Sequence, residues 1–293
     1  MTQLIQTIVL GLLLGGVYAL LASGLTLIFG VMDVINVAQG ALIILAAFMT
    51  WALWTETGMD PLLGILVTTP AMFLVGLLVY HGSVRWISGK PASTSVLLTF
   101  ALAIVIEGVM GLAWSTTLHR ATPPYFNQSF RGADLYFPKA QVYGCVIAIA
   151  VLTILYVILR ATWLGRAIRA VSENVSSAAL VGVNARNVAA FTFAIGVATT
   201  GAGGSIAAVL YPFLPGSHYQ WISRLLGIIV LGGMGSLPGA VIGALTLGVA
   251  ETMTVTYVSP RWATMVPYAV IMVVLLARPQ GIMGAKLRED VVV

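Results

Sequence analysis

Nine apolar stretches divide this chain, most of them close to the length of a membrane-spanning helix. They cover residues 4–30, 38–54, 61–80, 94–114, 141–159, 187–211, 223–235, 238–258 and 263–277. A helix needs about twenty apolar residues to cross the hydrocarbon core of a bilayer. Because several stretches are short or interrupted by glycine, we expect eight or nine transmembrane helices, some of them short or broken.

The composition supports the same fold class. Hydrophobic residues make up 59% of the 293 residues and charged residues 8%, whereas soluble domains carry roughly 25% charged residues. So few charges cannot cover the surface of a water-soluble globule. We therefore predict an all-α, polytopic membrane protein with one transmembrane domain over residues 1–293.

Lysine and arginine lie at the ends of the apolar stretches, as expected where they set membrane topology. The basic segments hold Arg85 and Lys90, then 160–187, then Arg278, Lys286 and Arg288. We place all three in the cytoplasm, which leaves the polar loop 115–140 and the N-terminus outside. The net charge of +5 therefore reflects topology and does not indicate a nucleic-acid partner.

The middle basic segment, 160–187, carries an apolar stripe. Leu164, Ile168, Val171, Val175, Ala178 and Gly182 step by fours and threes, while Arg166, Arg169, Glu173 and Ser176 fall between them. Such steps place the apolar residues on one helix face. We predict an amphipathic helix, including Ala179, that offers this stripe to a soluble partner.

No motif for nucleotide chemistry accompanies that segment. A phosphate-binding loop needs G-x-x-x-x-G-K followed by Ser or Thr. The single Gly-Lys pair, Gly89-Lys90, has Val84 at the first glycine position and is followed by Pro91. The histidines His81, His119 and His218 are isolated, so metal-ligand spacing is missing too. We predict no catalytic residues, no metal site and no cofactor on this chain.

Two acidic residues, Glu107 and Glu251, lie inside apolar stretches. An ionised side chain there costs about 2.5–3.5 kcal/mol on insertion scales, so each needs a compensating partner. We favour an interhelical hydrogen bond for both, and a polar lining of a translocation path or a proton-linked site is the alternative.

Asp33, Asn36 and Gln39 fall together between the first two apolar stretches. Asp and Asn satisfy exposed backbone groups in turns, which favours a structural role, with pore lining as the second possibility. A glycine-rich turn over 232–238 echoes this region: GVMDVINVAQGALIILAAF from Gly30 aligns loosely with GGMGSLPGAVIGALTLGVA from Gly232. We read either a parallel internal repeat, as transporters often carry, or convergence of two glycine-rich turns.

Four segments resemble one known family, the LivH-type permeases of branched-chain amino acid ABC transporters. The opening segment Gly11–Phe48 is similar to that family's opening, and Gly165–Asn184 to its cytoplasmic coupling loop. Leu225–Glu251 resembles its glycine signature, and Ala277–Gly284 its usual ending. In the opening, Tyr18, Ala19, Leu20, Gly24, Leu25, Gly30, Asn36, Ala38 and Gly40 fall at matching places.

This resemblance implies a multi-pass subunit of a bacterial inner-membrane importer. It implies a second, LivM-like permease, two ATP-binding subunits that hold ATP and Mg, and a periplasmic substrate-binding protein. The path would lie near Asn36, Gln39 and the turn with Gly233 and Gly235. Many members carry His where this chain has Gln39, which leaves that side chain's role open.

The cargo implied is a branched-chain or other amino acid, with urea, amides or organic acids as the family's alternatives. A rival hypothesis of another class is a proton- or ion-coupled secondary transporter that uses Glu107 or Glu251. It does not explain the amphipathic segment 160–187. A membrane scaffold explains neither that segment nor the broken helices.

Overall fold

The computed structural model describes residues 2–87, 90–132, 135–278 and 281–283, and within them the fold is a helical bundle with one small hairpin. The helices of the first half are α1 (Thr2–Met32), α2 (Gln39–Thr57), α3 (Ile65–Gly82), α4 (Ala92–Trp114), α5 (Lys139–Ala161) and α6 (Trp163–Glu173). Those of the second half are α7 (Val175–Leu180), α8 (Ala185–Leu210), α9 (His218–Gly232), α10 (Leu237–Tyr257), α11 (Pro260–Ala263) and α12 (Val266–Ala277).

Seven helices in the described residues are long and apolar enough to cross a membrane: α1 to α5, α8 and α10. The remaining predicted stretches, 223–235 and 263–277, fall on α9 and α12, which are only 15 and 12 residues long. At a rise of about 1.5 Å per residue, neither spans a full hydrocarbon core alone. These two are the short elements that the sequence predicts.

Several helices begin directly after a residue whose side chain caps the helix N-terminus. Thr162, Asn174, Asn184 and Ser236 each accept a hydrogen bond from the backbone N–H three residues later. Such caps satisfy donors that have no partner within the helix, and each contributes about 1 kcal/mol. The polar residues between apolar stretches therefore set the helix boundaries.

Helix α1 forms the centre of the bundle and is buried from Gly15 to Ile28. Glycines allow its close packing: a Cβ on Gly15 would lie 2.7 Å from the Cα of Leu245, and one on Gly11 2.6 Å from that of Val249. Because the earlier residue of α1, Gly11, lies beside the later residue of α10, Val249, the two helices run antiparallel. Helix α9 joins α10 through a short turn and is also antiparallel to it, so α1 and α9 share a direction, as a parallel repeat requires.

The basic segments lie at one end of the bundle, as predicted. The Tyr80 hydroxyl near the end of α3 donates to the carbonyl of Arg186, 3.2 Å away. After α12, the Ile282 amide donates to the Leu231 carbonyl at 2.9 Å. We call this the basic end. Lys286 and Arg288 lie outside the described residues.

The opposite end holds the N-terminus and the loop 115–140. The Gln6 side chain donates to the Tyr136 carbonyl at 2.9 Å, which places α1's first turn beside that loop. The loop contains a hairpin that its polar, proline-containing sequence did not reveal: β1 (Ser129–Gly132) pairs antiparallel with β2 (Leu135–Pro138). Phe130 lies opposite Phe137, and Arg131 opposite Tyr136, so aromatic cross-strand pairs stabilise it.

Candidate functional site

The connection between α1 and α2 turns back into the bundle. Asn36 and Gln39 are fully buried, and the Asn36 amide donates to Gln39 Oε1 at 3.0 Å. The Gln39 amide in turn donates to the Gly196 carbonyl of α8 at 3.1 Å. The irregular backbone beside them is met by Thr99 of α4, whose hydroxyl accepts from the Val37 amide at 3.1 Å and lies 3.1 Å from the Ile35 carbonyl, as backbone at membrane depth requires.

Helix α2 therefore begins well inside the bundle. A Cβ on Gly24 of α1 would lie 2.8 Å from Gln39 Nε2, so α2 starts level with Gly24 and not with the end of α1 at Met32. Eight helical residues separate those two levels, or roughly 12 Å. Residues 33–38 are thus an irregular segment that turns back into the bundle, and α2 starts partway through the bundle although its 19 residues are enough to cross a membrane.

Helix α9 also begins inside the bundle, next to the start of α2. A Cβ on Gly40 would lie 2.5 Å from the His218 carbonyl oxygen. The His218 ring is buried and its Nε2 lies 2.9 Å from Glu107 Oε2 of α4, while the Tyr219 hydroxyl donates to the same oxygen at 3.4 Å. Two helix N-termini, which carry partial positive charge, meet here near a carboxylate.

A second polar cluster lies between α1, α9 and α10. Arg224 Nε donates to Glu251 Oε1 at 3.1 Å, and the Tyr18 hydroxyl donates to Glu251 Oε2 at 2.6 Å. The Tyr211 hydroxyl lies 3.4 Å from that of Tyr18. Glu251 is almost completely buried, and both of its oxygens have a charged or polar partner.

Glu107 and Glu251 thus make the interhelical hydrogen bonds that the sequence analysis favoured. Burying a carboxylate without partners costs several kcal/mol, and a paired cation with hydrogen bonds offsets part of that cost. For Glu251 the offset comes from Arg224 and Tyr18. For Glu107 it comes from His218, and this carboxylate keeps 30% of its side chain exposed.

The seven predicted path residues do not form one site. Asn36, Gln39 and Glu107 surround the starts of α2 and α9, and Glu251 lies in the second cluster. Asp33, Gly233 and Gly235 instead lie at the basic end. Asp33 is exposed with φ of 52°, and Gly233 and Gly235 have φ of 101° and 82°. Their positive φ values identify turn positions, and a Cβ on Gly30 would lie 3.2 Å from the Gly235 carbonyl oxygen.

Five residues of the polar clusters were not predicted as site residues: Tyr18, Tyr211, His218, Tyr219 and Arg224. Arg224 had a signal in the sequence, because it is a cation near the start of an apolar stretch and membrane-embedded charges pair with one another. Only the packing of α9 against α10 identifies its partner as Glu251. His218 lies 111 positions from Glu107, a separation that carries no local pattern.

Arg224 also borders a cavity of about 640 Å³ between α9 and α12. The polar part of its wall is formed by Gln220, Ser223, Arg224, Thr264 and Tyr268. Polar side chains on α9 therefore face an opening of the bundle at the depth of Glu251. The His218–Glu107 pair lies at the start of the same helix.

The segment 160–187 does not form one continuous helix. Helix α6 ends at Glu173, and Asn174 has an extended conformation, with φ of −159° and ψ of 110°. Its side chain caps α7 by accepting from the Ser177 amide. Asn favours helix caps over helix interiors, which explains the break in the predicted amphipathic helix.

Part of the apolar stripe faces the bundle, although the whole stripe was predicted to contact a soluble partner. Ile168 and Val171 are each 4% exposed. With Ala178 they form a cluster with Leu27 and Leu155, against which Leu164 also packs. The chain itself covers this part of the stripe, whereas the stripe residues Val175 and Gly182 are exposed.

A different set of residues is exposed on this segment. Val175 is 53% exposed, Leu180 88% and Val181 77%. The predicted outward residues Arg166, Arg169, Glu173 and Ser176 are exposed, and so are Ala179 and Gly182. We call Val175, Ala179, Leu180 and Val181 the α7 apolar patch.

The sequence matches one family of known proteins over most of its length. The family described as the permease component of the branched-chain amino acid transport system matches residues 7–275. The chain belongs to this family. It is 30% identical to the high-affinity branched-chain amino acid transport permease LivH of Escherichia coli over 292 residues, covering 94% of this chain and 93% of that protein.

Other permeases of the family give the same result. BraD of Pseudomonas aeruginosa, named as a high-affinity branched-chain amino acid transport permease, is 28% identical over 96% of this chain and 95% of its own length. A probable LivH of Methanocaldococcus jannaschii is 27% identical over 90% and 88%. The chain is therefore a multi-pass transport subunit and not an enzyme.

The permease fold also resembles a solved one. PsaBC from Streptococcus pneumoniae, determined with a Fab, has a TM-score of 0.50 at 11% sequence identity and covers 92% of this permease and 91% of that chain. At this identity the likeness concerns the fold alone. It agrees with the helical bundle and its interrupted helices.

Proposed function

We propose that this permease forms half of the translocation path of a binding-protein-dependent ABC importer in a bacterial inner membrane. A second, LivM-like permease supplies the other half. Two ATP-binding subunits hold ATP and Mg and dock at the basic end, and a periplasmic binding protein delivers cargo at the end that holds the 115–140 loop. The basic end faces the cytoplasm, because positive charge is retained there.

The observation that carries this proposal is the α7 apolar patch. Four neighbouring residues on a short, well-capped helix project outward at the basic end, although water there favours polar side chains. Arg166 and Glu173 on α6 flank the patch with charge of both signs. Helices α6 and α7 together are the coupling element, with the α7 apolar patch as its contact surface and the buried stripe as its anchor to α1, α5 and α8.

The polar face of α9 supports the location of the path. Discontinuous helices whose ends meet at membrane depth form solute sites in transporters, and here α2 and α9 both begin inside the bundle. Gln220 and Arg224 line the open side of this region, and the partly exposed Glu107 lies next to the buried His218. We propose that the second permease closes this side, so that cargo passes between the two chains.

We propose a branched-chain amino acid as the cargo, because the relatives are named for that transport. Such a solute carries a carboxylate and an ammonium group on a small apolar body. The partly exposed Glu107 carboxylate suits the ammonium group, the N-termini of α2 and α9 suit the carboxylate, and the apolar wall of α12 suits the side chain. Specificity also depends on the binding protein that delivers the solute.

Reconstitution tests this function directly. The permease is co-expressed with a candidate second permease and ATP-binding subunits, purified, and inserted into liposomes with the binding protein outside. We expect leucine uptake that requires ATP inside and stops with a hydrolysis-deficient ATP-binding subunit. Uptake that proceeds without ATP-binding subunits and follows a proton or sodium gradient contradicts the proposal.

A further inference from the structure

A groove of about 710 Å³ opens beside α1, between α5 and α10, at the basic end of the bundle. Its volume falls within the range of small-molecule sites, roughly 300–1,000 Å³. The groove extends along α1 from Ser23 to Val31, a distance of about 12 Å at the helical rise. It is separate from the polar face of α9.

The walls of the groove are apolar. Leu152, Leu155 and Leu159 of α5 face Leu237 and Val241 of α10 across it. The two hydroxyls on its floor are already used, since Ser23 Oγ donates to the Leu20 carbonyl and Thr26 Oγ1 to the Ala22 carbonyl. The inner part of the groove therefore offers only hydrocarbon to an occupant.

The mouth of the groove is positively charged. Arg160, at the end of α5, and Arg169, on α6, both line it together with Ser172. Arg160 hydrogen-bonds the Tyr156 hydroxyl, and Arg169 the Leu159 carbonyl. Among the described residues, the ion pairs are His218–Glu107 and Arg224–Glu251, so neither groove arginine is neutralised there by a carboxylate.

We propose that this groove binds an anionic phospholipid, with its phosphate at Arg160 and Arg169 and an acyl chain along α1. The charge is complementary, because two cations without an acidic partner face an opening whose interior is apolar. The depth agrees as well: the apolar wall lies within the spanning helices and the arginines lie where α5 ends, at headgroup level. Basic pockets between helices on the cytoplasmic side bind anionic headgroups in this way.

The bound lipid would join the coupling element to the spanning helices. Ile168, Arg169 and Ser172 of α6 form the side of the groove opposite α1 and α10. A phosphate held by Arg169 would therefore fix α6 relative to α10. This inference requires only that the chain lies in a membrane, and it holds whether or not the proposed cargo is correct.

Native mass spectrometry of the full-length protein, titrated with phosphatidylglycerol or phosphatidylcholine, tests the charge requirement. We expect one tightly retained phosphatidylglycerol and weaker phosphatidylcholine binding. Each basic residue near an anionic lipid contributes about 1 kcal/mol, so the Arg160→Gln/Arg169→Gln variant should lose roughly 10- to 30-fold in affinity. Equal retention of both lipids by the wild type, or no loss in the variant, overturns the proposal.

Three variants separate this effect from misfolding and from general surface charge. Arg160→Lys/Arg169→Lys keeps the charge and should retain the lipid, whereas loss there equal to that of the glutamine variant contradicts the proposal. Arg278→Gln removes a charge at the same end outside the groove and should bind normally. Val241→Phe narrows the groove and should weaken binding with both arginines intact; unchanged binding places the lipid elsewhere.

Labelling of Ser172→Cys identifies the occupant in the assembled transporter. Phosphatidylglycerol nanodiscs should slow modification by a water-soluble maleimide, both for the chain alone and with the second permease. If protection appears only with the second permease and does not depend on the lipid, a protein fills the groove and the proposal of lipid binding is wrong.

Discussion

Arg224 Nε of α9 lies 3.1 Å from Glu251 Oε1 of α10, and this pair is enclosed by Tyr18 of α1. Three helices thus share one charge-neutral cluster inside the bundle. Either charge alone would be costly at this depth, and together they are tolerated because each satisfies the other. The pair therefore fixes the position of α9, a helix too short to be held by its apolar length.

Breaking this pair should destabilise the permease strongly. Glu251→Gln leaves the Arg224 guanidinium without its carboxylate, and loss of one partner of a buried pair costs about 3–5 kcal/mol. Glu251→Gln and Arg224→Gln should each lower the aggregation temperature of the detergent-purified protein by several degrees. The double variant should be more stable than either single one. If the loss of stability in the double variant equals the sum of the losses in the two single variants, the two residues are not energetically coupled.

The amide network at the start of α2 should be nearly as sensitive. Gln39→Ala removes the acceptor of the buried Asn36 amide and one of the donors to the Gly196 carbonyl, which keeps the Thr199 hydroxyl; the unsatisfied Asn36 amide costs about 1–3 kcal/mol. We expect a lower aggregation temperature together with reduced uptake in the reconstituted importer. Gln3→Ala, an exposed glutamine on the same chain, should change neither measurement. Wild-type stability in Gln39→Ala would mean that water replaces the side chain.

Close packing of α1 on α8 predicts a contrast between two glycines. A Cβ on Gly24 would lie 2.1 Å from the Gly196 carbonyl oxygen, whereas one on Gly108 meets nothing within 4 Å. Gly24→Ala should cost about 1–3 kcal/mol or more, because backbone must move. Gly108→Ala should be neutral or stabilising by up to about 1 kcal/mol, since alanine favours the helix. Thermal aggregation of both variants measures the difference, and equal effects would contradict the packing.

The coupling element predicts different results from its buried and exposed residues. Val175→Asp/Leu180→Asp should fold normally but bind ATP-binding subunits at least about tenfold more weakly, as loss of contact residues worth about 2 kcal/mol implies. Co-purification and stimulated ATP hydrolysis measure this. Leu118→Asp, an exposed apolar position at the other end, is the matched control.

Val171→Asp should instead lower the stability of the permease itself, because a charge would be buried against α1 and α5. If Val171→Asp leaves stability unchanged and abolishes only subunit binding, the apolar stripe faces the partner after all. If Val175→Asp/Leu180→Asp still couples normally, the α7 apolar patch is not the contact surface.

Local sequence patterns were sufficient to predict the class of protein and the basic end, and they also marked segment 160–187 as the candidate coupling segment. These patterns are local properties of the chain. The length of each apolar stretch, the positions of Arg85, Arg160 and Arg278, and the apolar period of 160–187 each depend on whether water or lipid surrounds that stretch.

The packing of the helices alone shows where the inner polar residues lie and which face of segment 160–187 is exposed. The 3.6-residue period reports that Ile168 and Val171 are covered, but not whether this chain or a partner covers them. Likewise, the sequence indicates that the Glu251 carboxylate needs a partner inside the membrane. Only the packing of α9 and α1 on α10 shows that Arg224 and Tyr18 are that partner. Contacts between distant segments leave no local pattern, because they depend on how whole helices pack.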